Sequence, residues 1–221
     1  MRALDELLDP AQGGRRLVDE WRAAATNTIE LLPCSADDGA RCLHALQVTT
    51  RSPMGAIAHG TGGLLVDGGW VRVLGAGCPR LGRSLASWNA TGTDRERLPG
   101  ALLVADDAVG GFFALDGGRF GARPGSVHYF APDSLRWEDL DASYSDWLQW
   151  LCTGDLARFY AASRWATWRA DVAALDGDRG TLVYPFPCAD GPPLDERSRS
   201  AVPIQELWAI YVERLPAELA G

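Results

Sequence analysis

Four aspartates stand where apolar runs stop: Asp67 after Leu64-Leu65-Val66, Asp106 and Asp107 after Leu102-Leu103-Val104-Ala105, and Asp116 after Phe112-Phe113-Ala114-Leu115. Carboxylates at strand ends can converge on one rim of a sheet, where pairs of them do acid–base work or hold a divalent cation. Arg51, in the polar segment Thr49-Thr50-Arg51-Ser52, supplies a guanidinium for a ligand or for a partner carboxylate. Trp88, in a Gly-, Pro- and Arg-rich stretch from Gly75 to Gly100, supplies an aromatic anchor of the kind that binding surfaces use. Each has an ordinary structural role as well. Aspartate bonds the backbone N–H groups of turns, Arg51 can bridge to an aspartate, and tryptophans at helical spacing build cores.

Other chemistries are closed off by composition. All 21 basic residues are arginine, so a Walker A phosphate loop and a lysine Schiff base are excluded. The three histidines, His44, His59 and His128, share no metal-ligand spacing, and no G-x-S-x-G elbow occurs. Gly60-Thr61-Gly62-Gly63 and Gly75-Ala76-Gly77 complete no dinucleotide fingerprint. The five cysteines are scattered, odd in number and without C-x-x-C, which fits reduced, buried thiols. No cofactor is expected. A net charge of −8 disfavours nucleic acid and anionic membranes and suits a basic protein partner. No apolar run approaches a membrane span, the charged start Met1–Glu6 is unlike a signal peptide, and the expected location is cytoplasmic.

These residues need a sheet to hold them. Leu102–Ala105, Gly110–Leu115 and Val127–Phe130 read as buried strands of a meander, bounded by Asp, Gly and Pro. Leu64–Val66 and Trp70–Leu74 read as a hairpin around Asp67-Gly68-Gly69. Ile29–Leu32 and Thr181–Phe186 add strands. Helices are expected at Arg2–Leu8, Arg15–Thr26, Asp38–Leu46 (capped by Asp38), Ser52–Gly60, one turn at Ser84–Trp88, Ser145–Leu151, and Asp155–Leu175 with a bend near Arg164. A last helix opens at Pro203, and Ala189–Ser200 reads as loop. With 47% hydrophobic residues, nine tryptophans and no interior linker, residues 1–221 read as one α+β domain. Its sheet is mixed or largely antiparallel and packs against several helices.

Blocks of the sequence carry a resemblance. Arg2–Leu8, Gln47–Ala56, Thr61–Trp70, Gly110–Leu115 and Tyr129–Asp133 resemble a bacterial domain-of-unknown-function family, numbered twenty-six twenty-five, over nearly the full length. More distantly, the order Gly62-Gly63, strand to Leu74, Leu102–Leu115, Val127–Phe130 and the Ser145 helix looks like the SUKH superfamily of fungal cell-wall regulators and bacterial immunity proteins. Gly110-Gly111 and Asp116 fit that pattern, while Phe112 stands where an acidic residue is usual. The resemblance implies a non-enzymatic domain that binds and blocks a protein, often a basic toxin domain. The alternative is a small-ligand-binding protein or hydrolase built on Arg51, Asp67, Asp106, Asp107 and Asp116.

Overall fold

The computed structural model describes residues 1–121 and 123–215; the rest of the expected 1–221 domain lies outside them. In chain order the helices are α1 (Leu4–Leu7), α2 (Gly13–Ala23), α3 (Ala36–Leu46), α4 (Pro53–Gly60), α5 (Leu85–Asn89), α6 (Tyr144–Thr153), α7 (Leu156–Phe159), α8 (Trp168–Ala173) and α9 (Ile204–Trp208), the last continuing as a π-turn through Arg214. The strands are β1 (Ile29–Leu32), β2 (Gly63–Val66), β3 (Val71–Leu74), β4 (Ala101–Asp107), β5 (Phe112–Asp116), β6 (Ser126–Ala131), β7 (Arg136–Ser143), β8 (Arg179–Tyr184) and β9 (Ser198–Pro203). β1 to β7 form one antiparallel sheet in strict chain order, and β8 pairs with β9 in a separate ribbon. The fold is α+β, as expected.

The central strands are covered on both faces, which is why they read as continuous apolar runs. Adjacent residues of β5 show this. The Phe113 ring packs on Trp147 of α6 at 5.2 Å, and the Phe112 ring meets Trp208 of α9 at 5.0 Å. Side chains alternate across a strand, so α6 and α9 lie on opposite faces. Where β4 runs past the end of β3, the Asn89 side chain takes the place of a strand partner. Its amide donates to Leu103 O and accepts from Leu103 N, both at 2.8 Å, beside a bulge in β4.

Serine caps set several helix starts. Ser35 accepts from Asp38 N, so Ser35 and not Asp38 caps α3, and Asp38 is the third residue of the helix. Ser143 caps α6 two residues ahead of the expected start, with Asp146 closing a reciprocal box. Ser52 and Ser84 cap α4 and α5.

Three expectations need correction. The long helix over Asp155–Leu175 is two short ones, because Tyr160, Trp165 and Trp168 all ring Trp70 at 5.4, 5.9 and 5.0 Å. At ~100° per residue, residues 160 and 165 of a straight helix would point ~140° apart, so the chain leaves the helix to bring them together. The polar segment taken as loop, Ala189–Ser200, ends inside β9, whose side chains are mostly exposed and whose backbone is satisfied by β8. Finally, β7 has no strand signal in the sequence. It is an edge strand with mostly exposed side chains, its alternation interrupted by a register shift and by Asp141 at φ 53°.

Close packing makes one glycine indispensable. A Cβ on Gly39 of α3 would land on the His59 carbonyl oxygen at the end of α4. Gly39→Ala therefore destabilises the fold by about 1–3 kcal/mol despite the better helix propensity of alanine. Urea denaturation measures this; a variant as stable as wild type would show that α3 and α4 can move apart freely.

Candidate functional site

The polar interior is built on the paired strands β3 and β4. In the run Trp70-Val71-Arg72-Val73-Leu74, Arg72 is a charge in a fully buried strand, and register places it directly across from Asp106 of β4. Its Nε donates to Asp106 Oδ1 at 2.6 Å, Nη2 to the Asp107 carbonyl at 2.7 Å, and Nη1 to the Arg179 carbonyl. The second oxygen of Asp106 takes a donor from Arg83, in the loop after β3. Arg83 also holds Asp178 through Nε at 2.8 Å and the Gly177 carbonyl through Nη2 at 2.9 Å. Two guanidinia and two carboxylates thus form a neutral cluster. Burial alone would depress the Arg83 guanidinium, but Asp106 and Asp178 outweigh it and raise its pKa.

Asp107 points to the other face of β4. Its Oδ1 accepts from Val109 N at 3.0 Å and Gly111 N at 2.8 Å, and its Oδ2 accepts from the Tyr129 hydroxyl at 2.7 Å. Burial pushes the Asp107 carboxyl above its ordinary range, against the pull of these three donors. Burial likewise drives the Tyr129 and Tyr160 phenols far up, helped by the Asp107 charge. Both phenols stay protonated at neutral pH.

The other candidates lie apart. Asp67, at φ 50° in the β2–β3 turn, pairs with Arg164 at 2.7 Å and Arg169 at 3.1 Å. Arg164 stacks on Trp168 at 4.1 Å and Trp70 at 4.7 Å, and burial lowers its pKa in spite of Asp67. Asp116 is paired with Ala101 and Asp106 with Phe112, so the two sit about five residues, roughly 17 Å, apart along β4. Asp116 Oδ1 accepts from Gly118 N and Phe120 N. Arg51 is exposed before α4. Trp88 is buried between the Arg83 and Arg97 guanidinia, whose carbons lie 4.8 and 3.8 Å from its ring.

The structure therefore brings Asp106 and Asp107 to one end of the sheet, with Asp67 in the adjoining turn and Trp88 buried against the Arg83 that holds Asp106, and leaves Asp116 and Arg51 elsewhere. At that end the carboxylates are taken up by guanidinia, backbone N–H groups and Tyr129. Such contacts fix strands and loops to one another. Arg72, Arg83, Asp178, Arg164 and Tyr129 were not among the residues singled out in the sequence. For Arg72 a signal existed, namely a charge amid four apolar neighbours. Arg83, Asp178 and Arg164 come from distant segments and had none. Among the described residues, no three His, Cys, Asp or Glu side chains gather as a metal-ligand set. A cleft of about 400 Å³ lined by Val109, Pro132, Asp133, Ser163, Pro187 and Arg197 touches none of the six candidates.

Removing one member of the buried cluster strands the others. Asp106→Ala should cost about 3–5 kcal/mol, read by urea denaturation; a loss under about 1 kcal/mol would show that the cluster carries little stability. Asp107 gives a pH signature. Its folded pKa lies above its unfolded value, so its contribution is fully present below about 3.8 and is lost as pH rises through the folded pKa. Asp107→Asn keeps an acceptor for the two N–H groups and cannot ionise. Its stability relative to wild type should therefore rise with pH from about 4 upward; a pH-independent difference in a denaturation series would contradict this.

Comparisons with known proteins agree with the sequence blocks. YbfG of Escherichia coli strain K12, an uncharacterized protein, is 43% identical over 215 residues, covering 96% of this chain and 97% of its own. An uncharacterized protein of Haemophilus influenzae strain Rd is 35% identical over 224 residues, covering all of this chain and 98% of its own. No solved structure matches. A family model matches residues 4–207, and the chain belongs to the family described as protein of unknown function DUF2625.

Proposed function

We propose that this chain is a protein-binding domain that takes an extended, basic segment of its partner along the free edge of β7. The observation that carries the reading is the make-up of that edge. β7 is the last strand of the sheet and, among the described residues, pairs only with β6. Glu138, Asp139 and Asp141 are exposed on it, and Asp146 is exposed nearby at the start of α6. Between β7 and α6 runs an apolar groove of about 410 Å³, formed by Leu140, Ala142, Trp147, Trp150 and Phe159, with Asp146 at its side.

An open strand edge offers unpaired N–H and C=O groups that a second strand can meet, with alternate side chains set into grooves. With three acidic side chains against one exposed arginine, Arg136, β7 carries net negative charge that opposes pairing with a second copy, while a basic segment meets complementary charge. One of the four acidic side chains, Asp141, already pairs with Arg123; the other three have no salt-bridge partner among the described residues. The resemblance to the SUKH superfamily points the same way and makes a basic toxin domain the fitting partner, bound and blocked rather than altered. The rival reading, a reaction centre on Arg51, Asp67, Asp106, Asp107 and Asp116, has less support. Three of those carboxylates are tied into internal contacts and Arg51 stands alone on the surface.

A short alternating lysine–valine peptide, titrated against the protein and followed by tryptophan fluorescence, should bind saturably and weaken with salt. Hydrogen exchange should slow at β7 when it binds. Glu138→Lys combined with Asp139→Lys should weaken binding by about ten-fold. Equal binding of a glutamate–valine peptide, or binding without protection of β7, would sink the reading.

A further inference from the structure

We infer that the groove between β7 and α6 is built for one particular side chain of the partner's segment, an arginine, whose guanidinium stacks in the corner of Trp150 and Phe159 and pairs with Asp146. The inference rests on the reading of the β7 edge given above and adds the residue that the partner must carry.

Elsewhere the chain shows how it holds a guanidinium. Arg164 lies over the Trp168 ring at 4.1 Å and pairs with Asp67 at 2.7 Å. Arg169 lies over the same ring at 4.2 Å and pairs with the other Asp67 oxygen at 3.1 Å. Arg83 lies over Trp88 at 4.8 Å and pairs with Asp106. In each case one arginine meets a tryptophan face and an aspartate together. The groove holds the same two partners, Trp150 and Asp146. Among the described residues, no arginine lies over Trp150 and none makes an ion pair with Asp146.

The walls of the groove are fixed by the fold. Trp150 and Phe159 meet at 5.1 Å with their planes 72° apart, which makes a corner. Phe159 is held by Tyr129 at 5.3 Å and Tyr160 at 4.8 Å. A Cβ on Gly154 would lie 2.3 Å from Cδ1 and Nε1 of the Trp150 indole, so the glycine is what lets that ring settle there. Both rings are half-buried, and Asp146 is exposed. Asp146 stands one helical turn before Trp150 on the same face of α6. The hydrogen bonds its side chain accepts among the described residues, from the Ser143 hydroxyl at 2.6 Å and the Ser143 N–H at 3.3 Å, both fall on Oδ2. Oδ1 keeps its lone pairs for a partner.

The strand edge sets the approach. A residue of an added strand opposite Leu140 or Ala142 points to the same face as they do, and these two side chains line the groove. A planar guanidinium stacks on aromatic faces and meets a carboxylate in fixed directions, whereas the lysine ammonium is a compact, strongly hydrated point charge. An aliphatic side chain would fill the apolar walls without using the charge, and an acidic one would be repelled by it.

The probes are two peptides of equal charge. Each is the alternating lysine–valine peptide with its central valine, on the side set into the groove, replaced by arginine in one and by lysine in the other. Titrated calorimetrically against the full chain, the arginine peptide should bind about five- to ten-fold more tightly. Trp150→Leu should bring it down to the affinity of the lysine peptide, which keeps its binding and its protection of β7 from hydrogen exchange. Asp146→Asn keeps an oxygen for Ser143 and removes the charge, and should cut the arginine advantage by about two- to five-fold. It decides alone if Trp150→Leu loses its fold. Equal affinity of the two peptides with β7 protected, or an undiminished arginine preference in these variants, overturns the arginine site and leaves the β7 reading standing. Binding of neither peptide overturns both.

Discussion

The buried carboxylate of Asp106, held between Arg72 and Arg83, is the interaction on which the rest of the structure depends. It joins the β3–β4 ladder to the loop after β3 and, through Arg83, to Asp178 at the start of β8. A lone charge at a fully buried position would be untenable. Here each oxygen of Asp106 meets a guanidinium, and the remaining guanidinium donors reach Asp178 and the backbone carbonyls of Asp107, Gly177 and Arg179. Arginine suits this place better than lysine, since its planar fork satisfies several acceptors in fixed directions. The geometry thus ties the position of the β8–β9 ribbon to the centre of the main sheet.

Around that cluster two sets of aromatic contacts stand out, joined through Tyr129 and Tyr160. Trp70 gathers Tyr160, Trp165 and Trp168 near the Asp67 turn, while Phe113, Tyr129, Trp147 and Tyr144 line the contact between the sheet and α6. The first group is reinforced by Arg164, which lies against three rings and pairs with Asp67. Charge and aromatic surface therefore act together in fixing the segment between α7 and α8. The second group leaves the outer side of α6 accessible, with Trp150 and Phe159 in contact at 5.1 Å along the groove beside β7.

How much of this could be read from the sequence depends on burial. Strands covered on both faces, β2 to β6, stand out as apolar runs ended by Asp, Gly or Pro, and the sequence locates them to within a residue or two. β7 and β9 do not stand out, because an exposed strand needs few apolar residues and is held by ladder bonds that composition does not reveal. The aspartates were visible as a set, but their roles were not. A strand-end aspartate that accepts backbone N–H groups, as Asp116 does, is indistinguishable in sequence from one paired with arginine, as Asp106 is. What separates them is which distant segment folds over each. Asp178 lies 95 positions beyond Arg83, and no local pattern announces such a pairing.

The strict chain order of the seven-stranded sheet has a consequence for how the molecule is assembled. Every strand pairs with its sequence neighbour, and the β2–β3, β4–β5, β5–β6 and β6–β7 ladders close short stretches of chain at little entropic cost. Those pairs can zip up locally, while β1–β2 and β3–β4 close across the longer segments that carry α3 with α4, and α5. The Arg83–Asp178 pair belongs to the opposite regime, since it cannot form until the intervening strands are laid down. A fold built this way separates a fast, local sheet from a late, long-range closure, in which Arg83, already facing Asp106, gains Asp178 as a second carboxylate partner.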